Sequence, residues 1–217
     1  MRTVRSLLAA AILLTSLAGE VSAQQVESGA SADSSAGPRW ELGATLFGYF
    51  VPEDSDFALP IVTADRGALH LEARYNYEGL HTGSLFVGWS FGAGGKLRLD
   101  ATAMVGGVFG ETDGIAPGYE LTLTYGRFVL YSEGEYVVDV EDSSGNFFYN
   151  WSELTCIPFD WLRVGLVSQR TRVYQTGLDV QRGLLAGFSY RNVELTTYVF
   201  NLGWETPTVV CSLAVSF

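Results

Sequence analysis

A period of two, held over runs of about ten residues, governs this chain from residue 39 onward. In Gly67 to Glu78, Leu69, Leu71, Ala73, Tyr75 and Tyr77 share one face while His70, Glu72, Arg74, Asn76 and Glu78 share the other. No helix separates residues in that way, whereas a strand does so automatically. The pattern recurs in Leu85-Val87-Trp89-Phe91, Leu97-Leu99-Ala101-Ala103-Val105, Tyr119-Leu121-Leu123-Tyr125 and Val193-Leu195-Thr197-Val199. Runs of this length suit a tilted strand crossing a bilayer better than the shorter strand usual in globular domains.

The connections alternate between tight and longer. Tight turns fall at Gly92–Gly95, Gly126-Arg127, Pro158-Phe159-Asp160 and Arg191-Asn192, and longer polar loops at Gly110–Gly118, Glu141–Asn146, Arg172–Leu178 and Gly203–Pro207. All the tight turns land on one side, as in a barrel with short periplasmic turns and long external loops. Eleven strands are plain, and Phe57–Ala64 supplies a twelfth despite Pro60, which cannot donate to a ladder. The expected fold is all-β, a transmembrane antiparallel up-and-down barrel of about 12 strands over residues 39–217, with 10 as the alternative if the first region folds inward.

Composition agrees and excludes other classes. Hydrophobic residues make up 47% of the 217 and charged ones only 17%, so most of the chain is not disordered. Only residues 7–18 form a long apolar run, too short for a helical span. With 24 acidic against 13 basic residues, nucleic acid is not an expected partner. Residues 1–23 place Arg2 and Arg5 before the apolar stretch Leu7 to Leu17 and end on Val21-Ser22-Ala23, the pattern of a cleaved signal peptide, with a short anchor as the alternative. Residues 24–38 are small and polar without an apolar period, and are read as a disordered periplasmic leader.

The last ten residues alternate and end on an aromatic: Val209, Cys211, Leu213, Val215 and Phe217 share one face. This resembles the C-terminal strand by which the barrel-assembly machinery recognises Gram-negative outer-membrane β-barrel proteins. The resemblance implies that machinery as a partner and the outer membrane as the location, and it specifies no subfamily. A secreted lipocalin-like barrel would alternate in the same way with its apolar face inward. Strand length, strand number and the aromatics Trp40, Trp89, Trp161, Tyr190 and Phe217 near strand ends favour lipid outside.

With lipid outside, the lumen receives Glu41, His70, Glu72, Arg74, Asn76, Arg98, Asp100, Glu120, Glu133, Glu135, Arg163, Gln169, Gln181 and Glu194, with Glu153 beside them. Two readings follow: a salt-bridged lumen that stabilises the barrel, or a narrow water-filled passage for a small solute or cation, its acidic excess disfavouring anions. On the outer face, Arg170, Arg172 and Arg182 meet at the external rim, at the level of lipopolysaccharide phosphates, which guanidinium groups bind bidentately. Snorkelling or pairing with loop acids such as Asp179 is the alternative.

Signals for an enzyme are thin. His81, close to Thr82 and Ser84 in an expected external turn, is a weak catalytic candidate for a lipid-modifying or proteolytic barrel, and a purely structural or adhesive barrel is a third reading. Two histidines and two cysteines lack metal-ligand spacing, so no metal site and no cofactor are expected. Cys156 and Cys211 fall toward opposite ends of their strands and are not expected to bridge. Loop acids at Glu53, Asp54, Asp56, Glu111, Asp113, Glu141 and Asp142 either hold Ca²⁺ or Mg²⁺ between lipopolysaccharide molecules or simply keep the loops hydrated.

Overall fold

The computed structural model describes residues 37–52, 55–141, 143–173, 179–203 and 206–217, so the expected signal peptide and leader residues 24–36 lie outside the described residues. The alternating runs form twelve strands: β1 (Glu41–Phe50), β2 (Phe57–Arg66), β3 (Leu69–Tyr75), β4 (Thr82–Gly94), β5 (Leu97–Gly110), β6 (Gly114–Tyr125), β7 (Phe128–Asp139), β8 (Phe147–Phe159), β9 (Leu162–Val173), β10 (Asp179–Tyr190), β11 (Val193–Phe200) and β12 (Thr208–Ser216). Each pairs antiparallel with its chain neighbours, and β12 returns to β1 to close the barrel, from Gly43 opposite Ser216 to Phe50 opposite Val209. Beyond the last pair, Phe217 and Leu42 exchange backbone hydrogen bonds at 2.8 and 3.3 Å. Closure leaves no open edge, which matters because unpaired strand edges are costly in a bilayer.

Two prolines are accommodated where a ladder can spare a donor. Pro60 lies beyond the β2–β3 ladder, which covers only Ile61–Arg66, and on that edge the Asn76 amide donates to the Ala58 carbonyl at 2.9 Å. Asn76 is thus a turn residue with φ 60° just past the end of β3, its amide engaged by the β2 backbone. Pro117 sits in β6, which begins at Gly114 and not at 118 as the glycines and proline suggested. The β6–β7 ladder passes from Ile115–Val138 to Gly118–Glu135 without a bonded pair at Pro117, which has no N–H to give.

Two-residue turns at Gly67-Ala68, Gly95-Lys96, Gly126-Arg127, Asp160-Trp161 and Arg191-Asn192 define one end of the barrel, here the turn end. Gly67 and Gly126 have φ of 63° and 59°, the left-handed conformation that tight hairpins demand. Both ends of the barrel-forming chain, at β1 and β12, also lie there. The other end carries the longer connections and is the loop end.

The outward face is apolar, with Leu46, Val62, Leu85, Leu154, Leu166 and Leu195 all exposed. Toward the turn end it carries Trp40, Trp89, Phe128, Phe159, Trp161, Tyr190 and Phe217, among them Trp89 at 65% and Tyr190 at 74% exposure. Toward the loop end it carries Phe50, Tyr75, Phe109 and Tyr136. Outward polar groups on β6, β7 and β8 satisfy one another: the Asn150 amide donates to the Tyr119 and Ser132 hydroxyls, both at 3.1 Å. Two aromatic girdles around an apolar band are what a lipid-embedded barrel requires.

Candidate functional site

The inward residues of β3 give the site its framework. His70, Glu72 and Arg74 stand two apart, so all three side chains enter the lumen, and all three are buried. Arg74 donates through Nε to Glu72 and through Nη1 to Glu135 at 3.0 Å. Its guanidinium also lies over the rings of Tyr77 and Phe86, 4.1 and 4.4 Å from their centroids. Phe86 can lie there because its neighbour on β5 is Gly106, where a Cβ would come within 2.6 Å of the ring. Glu133 is held by the hydroxyls of Tyr77 at 2.6 Å and Tyr131 at 2.5 Å. His70 bridges two carboxylates, Asp65 at 2.7 Å through Nδ1 and Glu72 at 3.1 Å through Nε2.

A second cluster occupies the facing wall. Arg163 on β9 reaches Glu153 on β8 and Glu194 on β11, the latter at 2.9 Å, and donates to the Thr196 hydroxyl at 3.2 Å. Its neighbour across β10 is Gly187, where a Cβ would crowd the Arg163 side chain at 3.0 Å. Trp151 donates its indole N–H to the free face of Glu153 at 2.9 Å. The two clusters border a cavity of about 440 Å³ lined by Glu72, Glu120, Glu133, Glu153, Glu194, Arg163, Thr45, Thr63, Thr122 and Thr155. It shares Glu120 and Thr122 with a cavity of about 380 Å³ at the turn-end mouth, where Arg98 and Asp100 form an exposed pair at 2.7 Å.

Aromatic rings roof the central cavity. Phe47, Tyr49, Tyr77, Tyr149, Trp151 and Tyr198 line it and belong to a buried cluster with Val167, Leu185, Phe200 and Val210. Trp151 is edge-on to Tyr198 at 5.1 Å and to Phe200 at 5.5 Å. A second cluster of Phe86, Met104, Val108, Ala116 and Val137 fills the opposite wall. Side chains therefore occupy much of the lumen, although twelve strands enclose more room than the roughly eight that side chains fill completely.

The remaining expected site residues are spread around the wall. Glu41 lies exposed at the turn end of β1, while Gln169 and Gln181 sit opposite each other on β9 and β10. Arg170 and Arg182 are exposed on the outer face, and the side chain of Arg172 lies outside the described residues. His81 is exposed in the β3–β4 connection with φ 57°, its backbone N–H bonded to the Asn76 side chain at 2.8 Å; among the described residues nothing hydrogen-bonds its ring. Cys156 and Cys211 are both free, on β8 and β12 with three strands between them. Cys211, Leu213 and Val209 pair with Gly48, Leu46 and Phe50 along the closing seam. Of the loop acids, Asp56 accepts the Val51 N–H at 3.2 Å and Asp113 the Gly110 N–H at 3.3 Å; Glu53, Asp54 and Asp142 lie outside the described residues.

Sequence spacing offered no metal-ligand set, yet the fold brings His70, Glu72 and Glu120 together, with one potential ligand atom of each inside a 4.8 Å group. Glu120 lies three strands round the wall from β3, so no local motif links it to the other two. Under the roof, at the β3–β4 connection, Glu78 is buried and accepts the Ser84 hydroxyl at 2.6 Å. Burial pushes its carboxyl above the usual carboxylate range, against the opposing pull of that hydrogen bond and of Arg74.

A closed antiparallel barrel of twelve strands, apolar outside and charged within, is the class that this fold and lumen define. Among solved structures it is similar to the Acinetobacter baumannii outer membrane protein Omp33, with 12% identity over 83% of this chain and 97% of that one and a TM-score of 0.46. It is also similar to Pseudomonas aeruginosa OccK3 (OpdO), with 11% identity, 82% and 65% coverage and a TM-score of 0.45. OccK5 (OpdH) of the same organism gives 10% identity, 81% and 66% coverage and a TM-score of 0.44. The chain spans about two thirds of the length of these two OccK proteins. No protein-family model and no curated protein matches the chain.

Proposed function

We propose that this chain is an outer-membrane barrel that passes small cations or small hydrated solutes through a narrow, acid-lined lumen. Location follows from physics: an apolar belt between two aromatic girdles, exposed on every side of a closed barrel, is soluble only in lipid. The turn end then faces the periplasm and the loop end the exterior.

The lining of the central cavity carries the reading. Glu72, Glu120, Glu133, Glu153 and Glu194 face it against Arg163, so any species inside meets a negative field in a medium of low dielectric. Anions are disfavoured there. The aromatic roof, bridged across the lumen by Phe47 and Trp151, would restrict passage to small species. Single-channel recording in planar bilayers tests the proposal: the folded chain should give small unitary currents that favour K⁺ over Cl⁻. Anion preference would overturn it, as would the absence of current from both the wild type and a Trp151→Ala variant with its roof thinned.

A further inference from the structure

Glu120 is the one lumen carboxylate of this region without a hydrogen bond or an ion pair among the described residues, while its neighbours are all engaged. It projects from β6 toward His70 and Glu72 on β3, across the inner faces of β4 and β5. That approach is open because the floor between them is low. Gly88 lies opposite His70 on β4, and even a methyl there would meet Thr102 at 2.9 Å. His70 is turned for the purpose by a separate group. Asp65 holds Nδ1 at 2.7 Å, which leaves Nε2 pointing at the two glutamates. A carboxylate behind an imidazole in this way orients metal-binding histidines and fixes their tautomer.

Charge points the same way. Asp65, Glu72, Glu120, Glu133 and Glu135 share this side of the lumen with Arg74 as the one permanent cation paired to them among the described residues. One oxygen of Glu135 is buried with no hydrogen-bond partner among the described residues. A carboxylate excess of that size in a largely buried setting is relieved by protonation or by a bound cation.

We propose that His70 Nε2, Glu72 and Glu120 form a binding site for a divalent transition cation of the zinc type. One imidazole nitrogen and two carboxylate oxygens suit zinc, which binds both at about 2.0–2.2 Å; calcium asks for 6–8 oxygens and magnesium for a near-ideal octahedron. Glu72 keeps one oxygen on Arg74 Nε and turns the other to the ion. Glu72 and Glu120 line the central cavity, and Glu120 also lines the turn-end mouth, which gives an ion an entry path.

The test is a calorimetric titration of the folded full-length barrel with Zn²⁺ in detergent, in excess Mg²⁺ to saturate loop carboxylates. One equivalent should bind. Glu120→Gln and His70→Gln should each weaken it about tenfold or more, and Asp65→Asn should weaken it by a similar factor through His70. Because Glu120 makes no hydrogen bond among the described residues, Glu120→Gln should leave the heat-modifiable gel mobility of the folded barrel unchanged. No binding above the Mg²⁺ background would overturn the proposal, as would binding that survives either ligand substitution unaltered. The readout is independent of conductance, so it stands or falls apart from the pore reading.

Discussion

Phe47 and Trp151 meet edge-on inside the barrel with ring centroids 6.3 Å apart, although β1 and β8 have four strands between them by the shorter way round the wall. The roof of the cavity is therefore a contact across the lumen as well as part of the cavity lining. Trp151→Ala removes that bridge together with the edge contacts to Tyr198 and Phe200. Unitary conductance in planar bilayers should rise several-fold. Urea unfolding from detergent should show a loss of about 3–5 kcal/mol, the usual cost of deleting a buried indole.

Gly106 makes room for Phe86, and Phe86 lies under Arg74. A methyl at position 106 would overlap the ring at 2.6 Å, so Gly106→Ala should destabilise the barrel by about 1–3 kcal/mol through forced repacking. The effect is specific to the ring. In a Phe86→Ala background the same change should cost little, and a double-mutant cycle measured by urea unfolding reads the difference. Equal costs in both backgrounds would show that the glycine serves something else.

Eleven of the twelve strands were legible because each carries its own local signal, the period of two, while β2, interrupted by Pro60, rested on the even strand count of such barrels. Where local signals conflict, the reading slipped. Glycines and Pro117 made residues 114–117 look like loop, because it is pairing with β5 throughout, and with β7 at Gly114 and Ile115, that shows they continue the ladder. Asn76 continued the alternation of β3 on paper, yet its amide is drawn off to Ala58 by the gap that Pro60 leaves. What no local pattern contains is distance across the lumen. The Phe47–Trp151 bridge depends on the curvature of a closed wall, and the approach of Glu120 to His70 depends also on Gly88 on an intervening strand. The sequence shows which residues point inward; it does not show which of them meet.

Arg163 joins Glu153 and Glu194 with its side chain 21% exposed, so part of the pairing is screened by water. Arg163→Met leaves two carboxylates facing each other, and should cost about 2–3 kcal/mol, below the 3–5 usual for a fully buried pair. Adding Glu153→Gln and Glu194→Gln should recover most of the loss in urea unfolding. The single variant should also favour cations more strongly in bilayer recordings, since it removes the one positive group from the cavity lining.

Arg170 and Arg182 stand exposed on the outer face of adjoining strands near the loop end. If this rim meets lipopolysaccharide phosphates, Arg170→Glu with Arg182→Glu should lower the lipopolysaccharide that co-purifies with the barrel several-fold, with unfolding stability in plain detergent unchanged. Unchanged retention would leave the two arginines as snorkelling side chains.

Glu78 gives the loop end a pH dependence of definite sign. It is buried in the β3–β4 connection with one oxygen on Ser84 and the other without a partner among the described residues, and burial raises its carboxyl above the ordinary range. A carboxyl whose folded pKa lies above its unfolded one is favoured protonated in the fold. Its contribution is complete below the unfolded value and is lost as pH rises through the folded one. Hydrogen exchange across residues 76–81, corrected for intrinsic rates, should therefore show more protection in mild acid than at neutral pH. Glu78→Gln, uncharged at every pH, should flatten that dependence and regain part of the about 1–3 kcal/mol that an unsatisfied buried group costs at neutral pH. An undiminished pH dependence in Glu78→Gln would move the effect to another group.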